Sequence, residues 1–352
     1  MQYIQKVQQI LQRVLEIAKA EGKLSGFCIG NTAKMESNDL YFIPIRNTPI
    51  MVTGGAVIYS VKQAIDIVKA IDGKVQYILV DAEKKISSQM SLTGEPANVE
   101  RAVREETKNS RIWVYKGNDL SVDAVDALLT QLTKDSVQGI GGVDIAILGA
   151  GNLGTKLALK LVERGAHVTM TRRRKDILDT IVKAINFIKP ENTTSMVIGT
   201  TDNEAAATGA KILIGTTQGH AVITPKIVKR LADKAIILDV GKGTLCLEAI
   251  EVAKERDIKV YRLDVSAAFE GLIYKLWKTE ETIEKKSGRR VLQDEVIVSG
   301  GILGRQDEIV VDDVWNPKQV YGIANGKGDF VRNLTNKQVL TIEKMKELIE
   351  KD

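Results

Sequence analysis

Apolar side chains recur every three or four positions over residues 2 to 20, where Ile4, Val7, Leu11, Val14, Leu15 and Ala18 share one stripe. This spacing predicts an amphipathic helix that packs on a sheet. Shorter apolar runs follow at 41–45, 50–53, 75–80 and 111–115, with helical spacing at 60–71 and 122–132 between them. The alternation predicts an α/β domain over residues 1–138. After the glycine-rich break Val137-Gln-Gly-Ile-Gly-Gly142 the rhythm becomes regular, with strands predicted at 143–148, 167–171, 196–200, 211–215, 235–240 and 259–263. Six strands separated by helices imply a doubly wound parallel sheet over residues 139–270. Beyond it come a charged helical run from Lys275 to Lys286, a glycine-rich segment around Val298–Gly304 and an amphipathic helix over 336–350. These form a C-terminal segment, 271–352, expected to complete an interdomain cleft.

Composition narrows the class. Of 352 residues 44% are apolar and 27% charged, the balance of a folded chain rather than a disordered one. The net charge of +5 is spread along the chain, and its densest block is only Arg172-Arg173-Arg174-Lys175, so no nucleic-acid footprint is expected. Cys28 and Cys246 are far apart and outside any CxxC spacing, which argues against a disulfide framework or structural zinc and favours a reducing cytoplasm. Asp312-Asp313 lacks clustered histidines or a third carboxylate, so no metal site is expected. No apolar stretch of 18 residues occurs, and no membrane span is predicted. A homo-oligomer, most simply a homodimer, is the expected assembly.

The strongest chemical signal is Val143-Asp-Ile-Ala-Ile-Leu-Gly-Ala-Gly-Asn-Leu-Gly154, a buried strand running into a GxGxxG turn and then a helix with Leu153, Leu157 and Leu161 on one face. Each glycine has its own reason: Gly149 for the tight turn, Gly151 for close approach of a pyrophosphate, Gly154 for packing of helix on strand. The helix start, with Asn152 and Leu153, then faces the phosphates. An NAD site usually ends the second strand with Asp or Glu for the ribose hydroxyls. Here the strand ends in Thr171-Arg172-Arg173-Arg174. Guanidinium groups pair with a 2′-phosphate that a carboxylate repels, so the expected cofactor is NADP. Further along, Thr216, Thr217, Gln218 and Gly219 follow the fourth strand and are expected to line the nicotinamide half, as are Asp239 and Gly241 at the end of the fifth.

These pieces together resemble the NADP-binding module of the amino-acid-dehydrogenase-like group, which includes shikimate and quinate dehydrogenases, glutamyl-tRNA reductases and methylene-tetrahydrofolate or methylene-tetrahydromethanopterin dehydrogenases. The likeness is carried by Gly149-Ala-Gly-Asn-Leu-Gly154, by Val168-Thr-Met-Thr-Arg-Arg173, and by Lys211-Ile-Leu-Ile-Gly through Asp239-Val-Gly, over roughly residues 140 to 265. It implies an N-terminal substrate domain and a C-terminal helix returning to that domain. The lysine and aspartate pair of shikimate dehydrogenases has no counterpart that aligns within residues 1 to 135. Cys28 has a faint likeness to the nucleophilic cysteine of glutamyl-tRNA reductases, but its neighbours differ, and it is read as a buried core thiol.

Hydride transfer to a carbonyl or imine needs a proton donor beside the nicotinamide. Of the two histidines, His167 opens the second strand at its far end, whereas His220 follows the fourth strand at its carboxyl end and is the candidate. Asp81 and Lys84, after the strand over 75–80, are candidates to orient a polar substrate. The resulting expectation is an NADP-dependent oxidoreductase acting on a small polar metabolite, with a non-catalytic NADP-binding regulator and a pterin-dependent methylene dehydrogenase as alternatives.

Overall fold

A computed structural model describes residues 2–32, 39–86 and 97–351. The chain divides into two compact units, Met1–Gly271 and Leu272–Asp352.

The first unit holds two sheets. The first is built from α1 (Gln2–Glu21), β1 (Leu24–Asn31), β2 (Tyr41–Asn47), β3 (Met51–Ile58), α2 (Val61–Ile71), β4 (Tyr77–Asp81), α3 (Val99–Glu106), β5 (Arg111–Tyr115) and α4 (Gly117–Leu132). Its strand order is β2-β3-β1-β4-β5, with only β2 antiparallel to its neighbour. The apolar stripe of α1 does what its spacing predicts: Val7 and Leu11 are buried with Phe27 and Ile29 of β1 and with Ala64, Ile67 and Val68 of α2. Gly54 lets this helix approach, since a Cβ there would sit 2.4 Å from the Ile10 side chain. The start of α2 is fixed by Ser60, which accepts from Gln63 N–H while the Gln63 side chain accepts from Ser60 N–H.

The second sheet comprises β6 (Asp144–Leu148), α5 (Asn152–Glu163), β7 (His167–Thr171), α6 (Lys175–Ile188), β8 (Val197–Thr200), α7 (Asn203–Ala207), β9 (Ile212–Gly215), α8 (Pro225–Arg230), β10 (Ile236–Asp239), α9 (Leu247–Glu255) and β11 (Lys259–Arg262). All six strands are parallel in the order β11-β10-β9-β6-β7-β8. Ile145 and Ile147 pack with Leu157 and Leu161 of α5 on one side, while Ala146 and Leu148 pack with Ile227, Val228 and Ala249 on the other. Both faces are covered, which is the doubly wound Rossmann arrangement, and the strand order reverses between β6 and β9.

α10 (Ser266–Glu281) begins in the first unit, nine residues before the helical run expected from the sequence. The second unit contains β12 (Gly288–Leu292), β13 (Glu295–Ser299), β14 (Gln306–Val311), β15 (Val320–Asn325) and α11 (Asn336–Lys351). These four strands form one sheet in sequence order, with the central pair parallel and the outer pairs antiparallel. The helix that the resemblance implied as returning to the first domain lies on this sheet, where Met345, Leu348 and Ile349 join Ile297, Ile309 and Val311 in a small core. Such a sheet needs a cover for its apolar face, and the amphipathic helix supplies one. Asp312 and Asp313 spend their Oδ1 atoms on the main-chain N–H groups of Lys318 and Gln319 and of Trp315 and Asn316, as turn-closing residues do. Among the described residues no helix is long and apolar enough to cross a membrane.

Candidate functional site

Ligands of doubly wound sheets settle at the carboxyl ends of the strands where the order reverses, here between β6 and β9. The chain leaves β6 through Gly149 at φ +118°, a conformation closed to side-chain-bearing residues. A Cβ on Gly149 would lie 2.7 Å from Thr216 Oγ1, and one on Gly154 would lie 2.1 Å from the Gly149 carbonyl oxygen. Thr216 closes the turn from the β9 side, donating to the carbonyls of Leu148 (3.1 Å) and Gly149 (2.7 Å). Gly151 differs from both: a Cβ added there would meet nothing within 4 Å. Two of the glycines are thus required by packing, while the third faces open space at the N-terminus of α5. No side chain of the N-cap position, Gly151, closes that terminus. Exposed helix-start amides, with the Asn152 and Leu153 positions first among them, suit a diphosphate.

Thr171 ends β7 with its carbonyl accepting from Gly149 N (3.2 Å) and Ala150 N (2.8 Å), which ties the glycine turn to the second strand. The half-buried Arg172 donates from Nη1 to the Ala150 carbonyl, so its guanidinium lies across the turn. Arg173 is exposed and has no ion-pair partner among the described residues, whereas Arg174 is paired with Asp176 at 2.6 Å. Arg172 and Arg173 thus carry guanidinium groups with no carboxylate ion-pair partner among the described residues, whereas Arg174 is engaged at the start of α6.

After β9, Thr217 Oγ1 donates to the His220 carbonyl (2.8 Å) and His220 N–H to the Thr217 carbonyl (3.2 Å), which folds Thr217-Gln218-Gly219-His220 into a tight turn with Gly219 at φ +75°. Gln218, Gly219 and His220 are exposed on it. The loop after β10 packs beneath: a Cβ on Gly241 would lie 2.7 Å from the Thr217 carbonyl oxygen. Asp239, expected to touch cofactor, turns its buried carboxylate into this loop, accepting from Gly243 N (2.9 Å), Thr244 N (3.1 Å) and Thr244 Oγ1 (2.8 Å), with Arg262 at 3.4 Å. Burial opposes its ionisation, but the hydrogen bonds from Gly243 and Thr244 and the Arg262 charge outweigh that and hold its pKa below the usual range. A carboxylate with a lowered folded-state pKa stabilises the fold above its unfolded pKa of about 4, and that contribution is lost as pH falls through the folded value. Asp239→Asn is accordingly expected to cost about 1–3 kcal/mol at pH 7, because an amide N–H would face a main-chain N–H. Thermal unfolding of both proteins between pH 7 and 3 should show the gap narrowing towards acid; a gap independent of pH would show that the carboxylate's charge is not what holds the loop.

On the first sheet, the carboxyl ends of β4 and β5 carry a polar network whose centre differs from the Asp81–Lys84 pair expected from the sequence. Asp81 is buried and binds Lys85 Nζ at 2.7 Å, while Lys84 points outward, exposed. Asp81 Oδ1 also accepts from Gly117 N (3.1 Å). Glu83 continues the network with Lys85 (2.8 Å), Asn118 N (2.8 Å) and Lys156 (3.4 Å). Burial again opposes ionisation of Glu83, and the Lys85 and Asn118 hydrogen bonds with the charges of Lys85 and Lys156 lower its pKa. Because Lys156 lies on α5 and Asn118 Nδ2 reaches Asn152 Oδ1 at 3.0 Å, these residues join the first sheet to the helix of the glycine turn. Sequence reasoning missed Lys85, Glu83, Asn118 and Lys156, since polar residues of a loop and of two helix starts show no common pattern until the sheets are brought together.

Lys242 was also missed. It stands at φ +58° between two glycines after β10, with Nζ 5.5 Å from the centroid of the Tyr41 ring on β2. Cys28 is 3% exposed, and burial pushes its thiol up to about 12, against a smaller opposing pull from Arg46 and Thr53. It is a protonated core thiol at neutral pH, not a nucleophile. Burial raises Tyr115 well above the ordinary phenol value, helped by Cys28, Asp81 and Glu83, so this residue at the end of β5 keeps its proton.

Residues 144–243 match the family model of NADP oxidoreductases, coenzyme F420-dependent. The match covers the glycine turn, the arginines and the loops after β9 and β10. The chain is 29% identical over 129 residues to a glycerol-3-phosphate dehydrogenase (NAD(P)+) of Bacillus velezensis, a stretch that is 34% of this chain and 37% of that enzyme. The chain therefore spans just over a third of the length of this relative. Among solved structures, L-tryptophan dehydrogenase from Nostoc punctiforme is similar at TM-score 0.42 and 13% identity over 75% of each chain. The 5-ketofructose reductase of a Gluconobacter species is similar at TM-score 0.38 and 14% identity, over 71% of this chain and 91% of that one.

Proposed function

We propose that the protein is an NADP-dependent oxidoreductase that moves a hydride between the nicotinamide and a small polar metabolite at a C=O/CH–OH or C=N/CH–NH centre. The observation that carries this reading is the division of labour in the glycine turn: Gly149 and Gly154 are hemmed in by protein atoms and Gly151 faces open space, in the layout a pyrophosphate needs. The family match over residues 144–243 supports the same reading.

When bound, the nicotinamide supplies or takes up the hydride. The chain's own residues have three tasks. The amides at the start of α5 hold the pyrophosphate, and Arg172 and Arg173 hold the ribose 2′-phosphate that distinguishes NADP from NAD. Thr216 and Thr217 shape the loop beside the nicotinamide. His220 gives a proton to the oxyanion or amine nitrogen that forms as hydride reaches carbon, and takes it back in the reverse direction. Polar groups at the carboxyl ends of β4 and β5, rather than an apolar plug, favour an enzyme over a regulatory protein that only binds cofactor.

A thermal-shift comparison of NADP and NAD, followed by a panel of carbonyl and imine metabolites with the better cofactor in reduced form, tests this. NADP is expected to raise the unfolding midpoint more than NAD, and at least one metabolite to consume NADPH. A midpoint unmoved by either dinucleotide would sink the reading.

A further inference from the structure

Arg46 on β2 is a half-buried cation that no described residue pairs with. Its Nε is buried without a hydrogen-bond partner, whereas Nη1 and Nη2, which also bond to no described residue, are not shut off from solvent. The guanidinium carbon lies 5.3 Å from the centroid of the Phe269 ring. That ring offsets part of the cost of withdrawing the cation from water but fills none of its five N–H donors. The Asp264 carboxylate feels the Arg46 charge from beyond ion-pair distance, and its Oδ1 accepts instead from Ser266 N (2.9 Å) and Ser266 Oγ (2.7 Å). An unpaired, partly desolvated guanidinium destabilises the fold that keeps it, and an arriving anion removes that cost.

A second unpartnered donor converges on it from the opposite edge of the sheet. Arg46 pairs with Thr53 and Thr53 with Gly26, which puts the Arg46 side chain on the sheet face of Cys28, away from α1 and α2. From β5, Tyr115 reaches across β4 until its hydroxyl lies 3.7 Å from where a Gly30 Cβ would stand, on that same face. The hydroxyl bonds to no described residue, and burial keeps it protonated. The Arg46 charge acts on both the Cys28 thiol and the Tyr115 phenol, so guanidinium and hydroxyl look onto one stretch of β1. The floor between them is made of small residues, Cys28, Gly30 and Gly55.

This face meets the carboxyl edge of the Rossmann sheet. Tyr41 lies on it through its pairing with Val57, and Lys242 of the loop after β10 stands over the Tyr41 ring. Asp264 and Phe269, the two residues that meet the Arg46 charge from the other half, follow the carboxyl end of β11. Ligands of doubly wound sheets lie along that edge. Lys242, like Arg46, has no carboxylate within ion-pair distance among the described residues.

We propose that Arg46 and Tyr115 hold an anionic group of the substrate, a carboxylate or a phosphate, with Lys242 adding its charge at the same edge. A guanidinium only donates, and a phenol that keeps its proton adds an O–H, so their complement is an acceptor-rich anion. The substrate class narrows from polar metabolites to acids: oxo, hydroxy or amino acids, or phosphorylated alcohols. The assignment to substrate rests on the cofactor reading given above.

Oxalate and inorganic phosphate are the probes, titrated calorimetrically into the full chain with and without saturating NADP, which fills the other phosphate-binding surface. At least one probe is expected to bind the NADP-loaded protein, at least about 10-fold more weakly in Arg46→Gln and less weakened in Tyr115→Phe, with NADP affinity unchanged in both. Tighter oxalate names a carboxylate, tighter phosphate a phosphate ester. Arg46→Lys keeps the charge but loses the planar fork, so it should also bind more weakly, and it stands in if the glutamine variant does not fold. Neither probe bound, binding lost on NADP saturation, or binding undiminished in the Arg46 variants overturns the proposal. Arg46-dependent anion binding in a chain that takes up no NADP removes the cofactor reading instead and leaves Arg46 as an anion site.

Discussion

Gly151→Val is expected to lower NADP affinity by at least about 10²-fold, or about 2.7 kcal/mol, with little change in thermal unfolding. A Cβ at this position meets no protein atom within 4 Å, and its φ of −94° suits any residue, so the fold has no reason to object. The loss would arise because the valine occupies the place of the pyrophosphate. Gly154→Ala supplies the contrast: its Cβ would lie 2.1 Å from the Gly149 carbonyl oxygen, so binding and stability should fall together. Calorimetric titration beside a melting curve separates the two variants. Undiminished NADP affinity in Gly151→Val would mean that the open space at the helix start is not a phosphate site.

His220→Ala is expected to lower turnover by about 10²-fold or more, the usual scale for a lost general acid or base, while NADP affinity stays within about twofold. The split follows from how the residue is held: its main-chain N–H and carbonyl are bonded to Thr217, so the loop survives loss of the ring, which is exposed at the end of the turn. A parallel fall in affinity and turnover would make His220 a shaper of the cofactor loop. Full activity would remove His220 as the proton donor.

The Rossmann half could be read from sequence because its central strands β6, β9 and β10 are short apolar runs set off by turns and buried on both faces. All six predicted strands are present, with ends differing by at most one residue. β1 was missed for the opposite reason: Leu24-Ser-Gly-Phe-Cys-Ile-Gly-Asn31 is almost wholly buried, yet its serine and two glycines remove the β-branched signature. In the second unit, charges at Arg289, Arg290, Asp307 and Glu308 interrupt strands of five or six residues, and none of the four strands is predicted from the sequence. The glycine turn was legible because backbone geometry dictates its residue types. The Lys156–Glu83 and Asn118–Asn152 links were not, since they depend on how the two sheets come together.

The central claim is that this chain binds NADP at the turn Gly149–Gly154, with Arg172 and Arg173 on the 2′-phosphate. Calorimetric titration of the wild-type protein with NADP and with NAD tests it most directly. NADP is expected to bind at least about 10-fold tighter, about 1.4 kcal/mol, with the advantage abolished in Arg172→Ala/Arg173→Ala. Equal affinities in the wild type, or a preference that survives the loss of both arginines, would contradict it.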